Sequence, residues 1–287
     1  MRLGRVFRWG QPEHEAGKRL LGHTVRSMNA LSAQRELVSA MVARDFRNQY
    51  RGSHLGLFWA VLHPASTLAL FWFVFEVGFG AASPRNGYPY VIWLAAGMLP
   101  WFYFSSALMG AGNVLHEYAF LVRKTSFRLS LLPVVKLLSA LSIHLVSIGL
   151  LLVLTCLLSS RASWTMLQIP YYIVCNFMLL LGLSWITASV AVFVRDVGHI
   201  VSVLLQFGMW VTPIMWSPAM IPAPYRLLIK LNPVYYLTEG FRECFMGQTW
   251  FWERPVWTLY FWTVTVALLA LGAFVFRRLR PHFGDMV

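Results

Sequence analysis

Six apolar segments limit what this chain can become more than any other feature. They cover roughly residues 55–80, 89–113, 131–158, 168–194, 198–217 and 256–276. A helix needs about 20 residues to cross a bilayer, and each segment is long enough. No Asp, Glu, Arg or Lys sits near the middle of any of them; Glu76 lies near the outer end of the first, and Lys136 at the inner start of the third. Only 12% of the chain is charged, against about 25% in a soluble domain. The expected fold is therefore an all-α integral membrane protein with six transmembrane helices, the spans lying between a 1–54 segment and a short 281–287 tail.

An even number of spans places both termini on one side, and the positive charges choose that side. Ten Lys/Arg lie in 1–54, four in 114–136, one at Arg195 and three at Arg277, Arg278 and Arg280, so that 18 of the 24 share one face. That face, with both termini, is expected to be cytoplasmic. No apolar core precedes residue 55, so no cleavable signal peptide is expected. The net charge of +13 then reads as contact with anionic lipid rather than nucleic acid.

Two segments do not read as simple spans. Residues 18–54 are basic, with Leu31, Leu37, Val38, Met41, Val42, Phe46 and Tyr50 recurring at three- and four-residue spacings. That pattern suits an amphipathic helix lying in the headgroup region. Residues 213–255 open with prolines at 213, 218, 222, 224 and 233, followed by apolar pieces too short to span. Between two spans, such pieces suggest re-entrant helices; a loop resting on the bilayer is the plainer alternative.

What is missing narrows function. No carboxylate lies inside a span to bind a driving ion, which argues against a secondary transporter. His63 and His144 are the histidines of the apolar interiors, and packing is the better reading for both. There is no GxxxxGK[ST] phosphate loop, and only four lysines exist, at 18, 124, 136 and 230, so energy for active transport must come from another subunit. Cys156, Cys175 and Cys244 show no CxxC spacing and read as inert buried thiols. Glu239, Arg242 and Glu243, with Glu253 nearby, are the one cluster that resembles acid–base machinery. Their i, i+4 spacing fits a polar helix face better.

Five stretches in this order resemble one family: RNQYRGSHLGLFWAVLHP (47–64), AAGMLPWFYFSSAL (95–108), FLVRKTSFRLSLLPVV (120–135), VFVRDVGHIVSVLLQFGMWVTPIMW (192–216) and LIKLNPVYYLTEGFRE (228–243). Together they are similar to the membrane subunit of polysaccharide-exporting ABC transporters, closest to the O-antigen and teichoic-acid branch. The resemblance covers about residues 35–280. It implies a non-enzymatic permease that forms a homodimer, pairs with two copies of an ABC ATPase, and moves polysaccharide linked to polyprenyl pyrophosphate. ATP and Mg would bind the partner subunit, and this chain would carry no cofactor and no metal. The rival readings are a membrane enzyme acting on lipid-linked glycans at 239–243, and an ABC permease for drugs or small lipids.

The resemblance also assigns roles to residues. Arg44, Arg47 and Arg51 would contact lipid phosphates and the substrate pyrophosphate, with Pro64 relaxing the first span. Glu117, Tyr118, Phe120, Leu121, Arg123 and Lys124 would form the helix that docks into the ATPase, supported by Arg195 and Asp196. Trp59, Phe71, Trp72, Phe75, Phe207 and Trp210 would line the channel. Pro213, Asn232, Pro233, Glu239 and Arg242 would form an external gate.

Overall fold

The computed structural model describes residues 35–49, 56, 58–84, 87–122, 127–159, 163–247 and 249–286. Every regular element among them is helical. Helix α1 covers 35–49. Helix α2, Phe58–Trp72, contains Pro64 and runs on into a π-helical turn, Phe73–Gly78. Then come α3, Tyr90–Glu117, the single turn α4, Ala119–Val122, and α5, Leu131–Leu158. A 3₁₀ turn, Trp164–Gln168, leads into α6, Ile169–Ala191, and a tight corner into α7, Val197–Val211. The short α8, Arg226–Lys230, and α9, Pro233–Met246, precede α10, Pro255–Leu279, and the last turn, α11, Phe283–Met286.

Among the described residues, five stretches are long and apolar enough to cross a membrane: Phe58–Gly78, Tyr90–Glu117, Leu131–Leu158, Trp164–Ala191 and Pro255–His282. The segment expected as a fifth span, 198–217, is helical only as α7, whose 15 residues reach roughly 22 Å at 1.5 Å per residue. Pro213 is the cause. A residue before proline is pushed out of the helical region, and Thr212 has extended angles, φ −76° and ψ 128°. Past it, residues 212–217 run as irregular chain.

Helix α3 is the axis of the bundle. In its most apolar stretch 78% of residues are buried, against none in Phe58–Gly78. It packs against α2, α5, α6, α7 and α9. Helix α3 carries small buried residues, Ala95, Ala96, Gly97, Ala107, Ala111 and Gly112, of the kind that line helix interfaces where no hydrophobic effect drives helices together. Two clusters of buried side chains result. The larger joins α3, α5, α6 and α9 with Phe261 of α10. The smaller gathers Met41 of α1, Val114 and Leu115 of α3, Leu132 of α5, Val192 after α6, and Phe276 and Phe283 at the chain end. This second cluster sits at the end that carries the basic residues.

Helices α6 and α10 make the closest crossing. A Cβ added to Gly182 would lie 2.8 Å from the Leu268 carbonyl carbon and from the Leu269 nitrogen, both backbone atoms that cannot yield. We expect Gly182→Val to cost about 1–3 kcal/mol, as overpacking does. It would be seen as a lowered thermal midpoint in detergent, with Gly149→Val, which meets nothing within 4 Å, as the neutral comparison.

Candidate functional site

The chain leaving α7 creates a problem that the end of the bundle away from the basic residues must solve. Thr212, Ile214 and Met215 are fully or almost fully buried, yet their irregular backbone makes no helical ladder. Carbonyls left unpaired in apolar surroundings each cost free energy comparable to a lost hydrogen bond. Side chains of α3 and α9 supply the missing donors. Arg242, itself 0% exposed, donates from Nη1 to the Pro213 carbonyl at 2.9 Å and from Nη2 to the Ile214 carbonyl at 2.5 Å. The Tyr90 hydroxyl donates to the Met215 carbonyl at 2.7 Å.

The rest of the guanidinium ties in α3. Nε donates to the Trp93 carbonyl at 3.3 Å, and the group lies 3.6 Å from the centre of the Trp93 ring. Its charge is matched by Glu239, at 2.5 Å from Nη1. A flat, permanently charged fork can donate in plane while stacking on an indole, which an ammonium cannot do. Gly97 leaves the room: a Cβ there would sit 2.6 Å from Nη2.

Helix α9 is started by its own sequence. Asn232 caps it, its Oδ1 accepting from the Val234 N–H at 3.0 Å, and Pro233 takes the first turn, where no donor is needed. The same Asn232 donates from Nδ2 to Thr212 Oγ1 at 2.8 Å, tying the cap to the end of α7. Of Pro213, Asn232, Pro233, Glu239 and Arg242, read from the sequence as one gate, Pro213, Glu239 and Arg242 share one hydrogen-bonded cluster, Asn232 is tied to the neighbouring Thr212, and Pro233 enters as the first residue of α9. Glu243 bonds Arg254 at 2.9 Å. With both carboxylates engaged in ion pairs, the 239–243 cluster has the character of a structural polar face rather than of an acid–base pair.

The basic end is organised by another buried charge. Lys136 Nζ lies 2.6 Å from Asp45 Oδ1 and 2.6 Å from Glu117 Oε2. Lys136 and Asp45 are buried, while Glu117 is half exposed. One ammonium therefore joins α1, the last turn of α3 and the first turns of α5. His116 Nε2 lies 3.3 Å from the Ala191 carbonyl, adding the end of α6. Neither Asp45 nor Lys136 was expected as a site residue. The signal was present: a lone acid between Arg44 and Arg47, and a lysine at the start of an apolar run.

The expected docking residues divide around this point. Phe120, on α4, is 52% exposed, whereas Tyr118 is 6% exposed and belongs to the second core cluster. Burial, with Asp45 adding to it, raises the Tyr118 phenol above its usual pKa, so it stays neutral. Leu121 is half-buried against the same cluster. Arg195 and Asp196 are exposed at the α6–α7 corner. Arg44 and Arg47 are exposed on α1, while Val38, Met41 and Val42 of that helix pack on the bundle. Arg51, Arg123 and Lys124 lie outside the described residues.

The aromatics also divide. Phe71, Trp72 and Phe75 of the first span are partly buried against the larger core, whereas Trp59, Phe207 and Trp210 are 45%, 67% and 54% exposed. His144 is buried and stacked on Tyr103, ring centres 4.9 Å apart, and His63 is exposed on α2. Cys175 and Cys244 are buried as expected, but Cys156 is exposed, because it falls on the outer face of α5.

A family model described as ABC-2 type transporter matches residues 36–246. An O-antigen export system permease protein RfbA from Myxococcus xanthus is 26% identical, over 92% of this chain and 100% of its own length. Two proteins of the same name from Klebsiella pneumoniae are 25% and 24% identical, each over 88% of this chain and 95% of their own length.

Both buried cations are open to test. Arg242→Lys keeps the charge but cannot reach Pro213, Ile214 and Trp93 together. We expect a loss of about 3 kcal/mol, the cost of leaving buried carbonyls without donors. Lys136→Met strands Asp45 beside Glu117 and is expected to cost a similar amount, about 3 kcal/mol. Adding Asp45→Asn to it should recover most of that loss. Thermal denaturation of the single and double variants checks both, and additivity in the Asp45/Lys136 pair would refute their coupling.

Proposed function

The chain belongs to the ABC-2 type transporter family, and from that premise we propose that it is the membrane permease of an ATP-driven exporter. The cargo is a surface polysaccharide of the O-antigen or teichoic-acid kind, carried on polyprenyl pyrophosphate. The observation that carries this reading is the match to an O-antigen export permease over that relative's whole length. The chain itself performs no chemistry; ATP is hydrolysed, with Mg, on a separate ABC ATPase.

In this reading two copies of the chain pair with two ATPases in a bacterial inner or cytoplasmic membrane. Both termini and the basic end face the cytoplasm. Helix α7 and residues 212–217 together complete a sixth crossing, and α8 and α9 dip in from the outer face. Exposed Phe207 and Trp210 on α7, and Trp59 on α2, suit faces that meet a second copy and the polymer. Aromatic faces let sugar rings slide without one tight stop. Arg44 and Arg47 hold lipid phosphates at the entrance, where a bidentate guanidinium fits best.

Drive enters at α4. The exposed Phe120 ring is the apolar anchor for the ATPase, with Glu117 and Lys136 directly behind it. Anchors of this type carry a large share of interface energy. Movement of α4 then acts on α3 and α1 together, because Lys136 holds both.

Tagging the chain in its native host, extracting it gently and identifying what accompanies it should recover a near-equimolar P-loop ATPase. Phe120→Asp should cut that recovery at least tenfold while leaving the thermal midpoint of the permease unchanged. Normal ATPase binding by the variant would sink the docking assignment. Absence of any ATPase, even with nucleotide trapped, would sink the half-transporter reading.

A further inference from the structure

The outer end holds a pocket beside the Arg242 clasp, which shares with it only Glu239. It lies between α8, α9, the 249–254 turn and the start of α10, and its volume is about 530 Å³. That is within the roughly 300–1,000 Å³ typical of small-ligand sites. Aromatic side chains form much of its wall, among them Tyr235, Trp250, Trp257 and Tyr260.

The wall is preorganised. Phe251 stacks on Tyr171 of α6, ring centres 3.9 Å apart. Gln168 grips the turn from both sides, donating to the Thr249 carbonyl at 3.1 Å and accepting from the Phe251 N–H at 2.8 Å. Glu253 accepts from the Trp250 N–H at 3.1 Å. A wall held in this way costs little further ordering when a ligand binds.

The charges on the same wall narrow the ligand. Glu239, Glu243 and Glu253 face it, with Lys230 and Arg254. An alkyl chain would strip water from these groups and return no hydrogen bonds, so a lipid tail is a poor occupant. A phosphate or carboxylate would meet more carboxylates than cations. The cations are also occupied, Arg254 with Glu243 at 2.9 Å and Lys230 over the Trp257 ring at 5.5 Å. What fits both halves of the wall is a ring with apolar C–H faces and a rim of hydroxyl donors. Its faces lie against indole and phenol rings, and its hydroxyls donate to carboxylate oxygens.

We propose that this pocket is a subsite for one pyranose ring without an acid group, belonging to the glycan as it emerges at the outer end. The proposal rests on the polysaccharide-export reading and adds to it a place where the chain is held and a charge preference. By taking up one residue of the emerging polymer, the pocket would bias the chain against sliding back between power strokes.

The test uses the full chain with its ATPase in nanodiscs of phosphatidylethanolamine and phosphatidylglycerol, free of sugar-based detergent. The probe is the host's own surface glycan, delipidated by mild acid. Saturation-transfer NMR should show magnetisation reaching its ring protons. Transfer should fall at least fivefold in Trp257→Ala and, separately, in Tyr235→Ala, and stay unchanged in Leu259→Ala, whose side chain is 70% exposed. Oligogalacturonate, an acidic probe, should not compete. Wild-type transfer in both pocket variants, or no transfer in the unmodified complex, overturns the subsite. Equal competition by oligogalacturonate overturns the charge preference. Surface glycan is followed in parallel after deletion of the gene: its loss leaves the export reading standing when the subsite fails, and its persistence refutes that reading itself.

Discussion

A buried guanidinium decides how the end of this bundle away from the basic residues is put together. Where α7 stops at Pro213 the chain gives up its own hydrogen bonds inside apolar surroundings. Arg242 restores them from outside the segment, donating to Pro213 and Ile214 while stacking on Trp93 and pairing with Glu239. A charge of this kind tolerates burial only when nearly all its donors are used and its counter-ion is close. The arrangement therefore works in one geometry. It sets where α9 lies against α3 and which way the 212–217 chain turns.

The opposite end uses the same physics with a different cation. Lys136 is a point charge with rotatable donors, suited to gathering two carboxylates from different helices rather than three carbonyls in a plane. It holds α1 and the end of α3 to α5. Between the two clasps runs α3, buried along most of its length and packed against α2, α5, α6, α7 and α9. Glu117 at one end of α3 thus meets Lys136, and Trp93 near the other end meets Arg242, while α2 and α7 keep exposed aromatic faces.

Much of this was legible from the linear chain. Apolar runs without charge near their middles marked, among the described residues, the five helices long enough to cross a membrane. Where the sequence reading departed from the structure, the cause was a partner far along the chain. Arg242 reads as one face of a short polar helix until Trp93, some 150 positions earlier, is placed beneath it. Tyr118 and Phe120 read alike as apolar anchors; the second core cluster then takes Tyr118 inward and leaves Phe120 outside. Asp45 carried no expectation from the sequence, and Lys136 makes it a fixed point.

Local chemistry, acting within a turn or two, determined that this chain is helical, apolar enough for a membrane and basic at one end. Hydropathy, proline and capping residues exert their effects over that range, so the sequence carries them openly. Only the tertiary structure decided which charged groups are buried and which aromatic rings remain outside. Those outcomes depend on whether a distant segment can satisfy a buried donor, acceptor or charge, and desolvation is unforgiving when it cannot. Proximity of that kind is a property of the packed bundle and of no shorter piece of it.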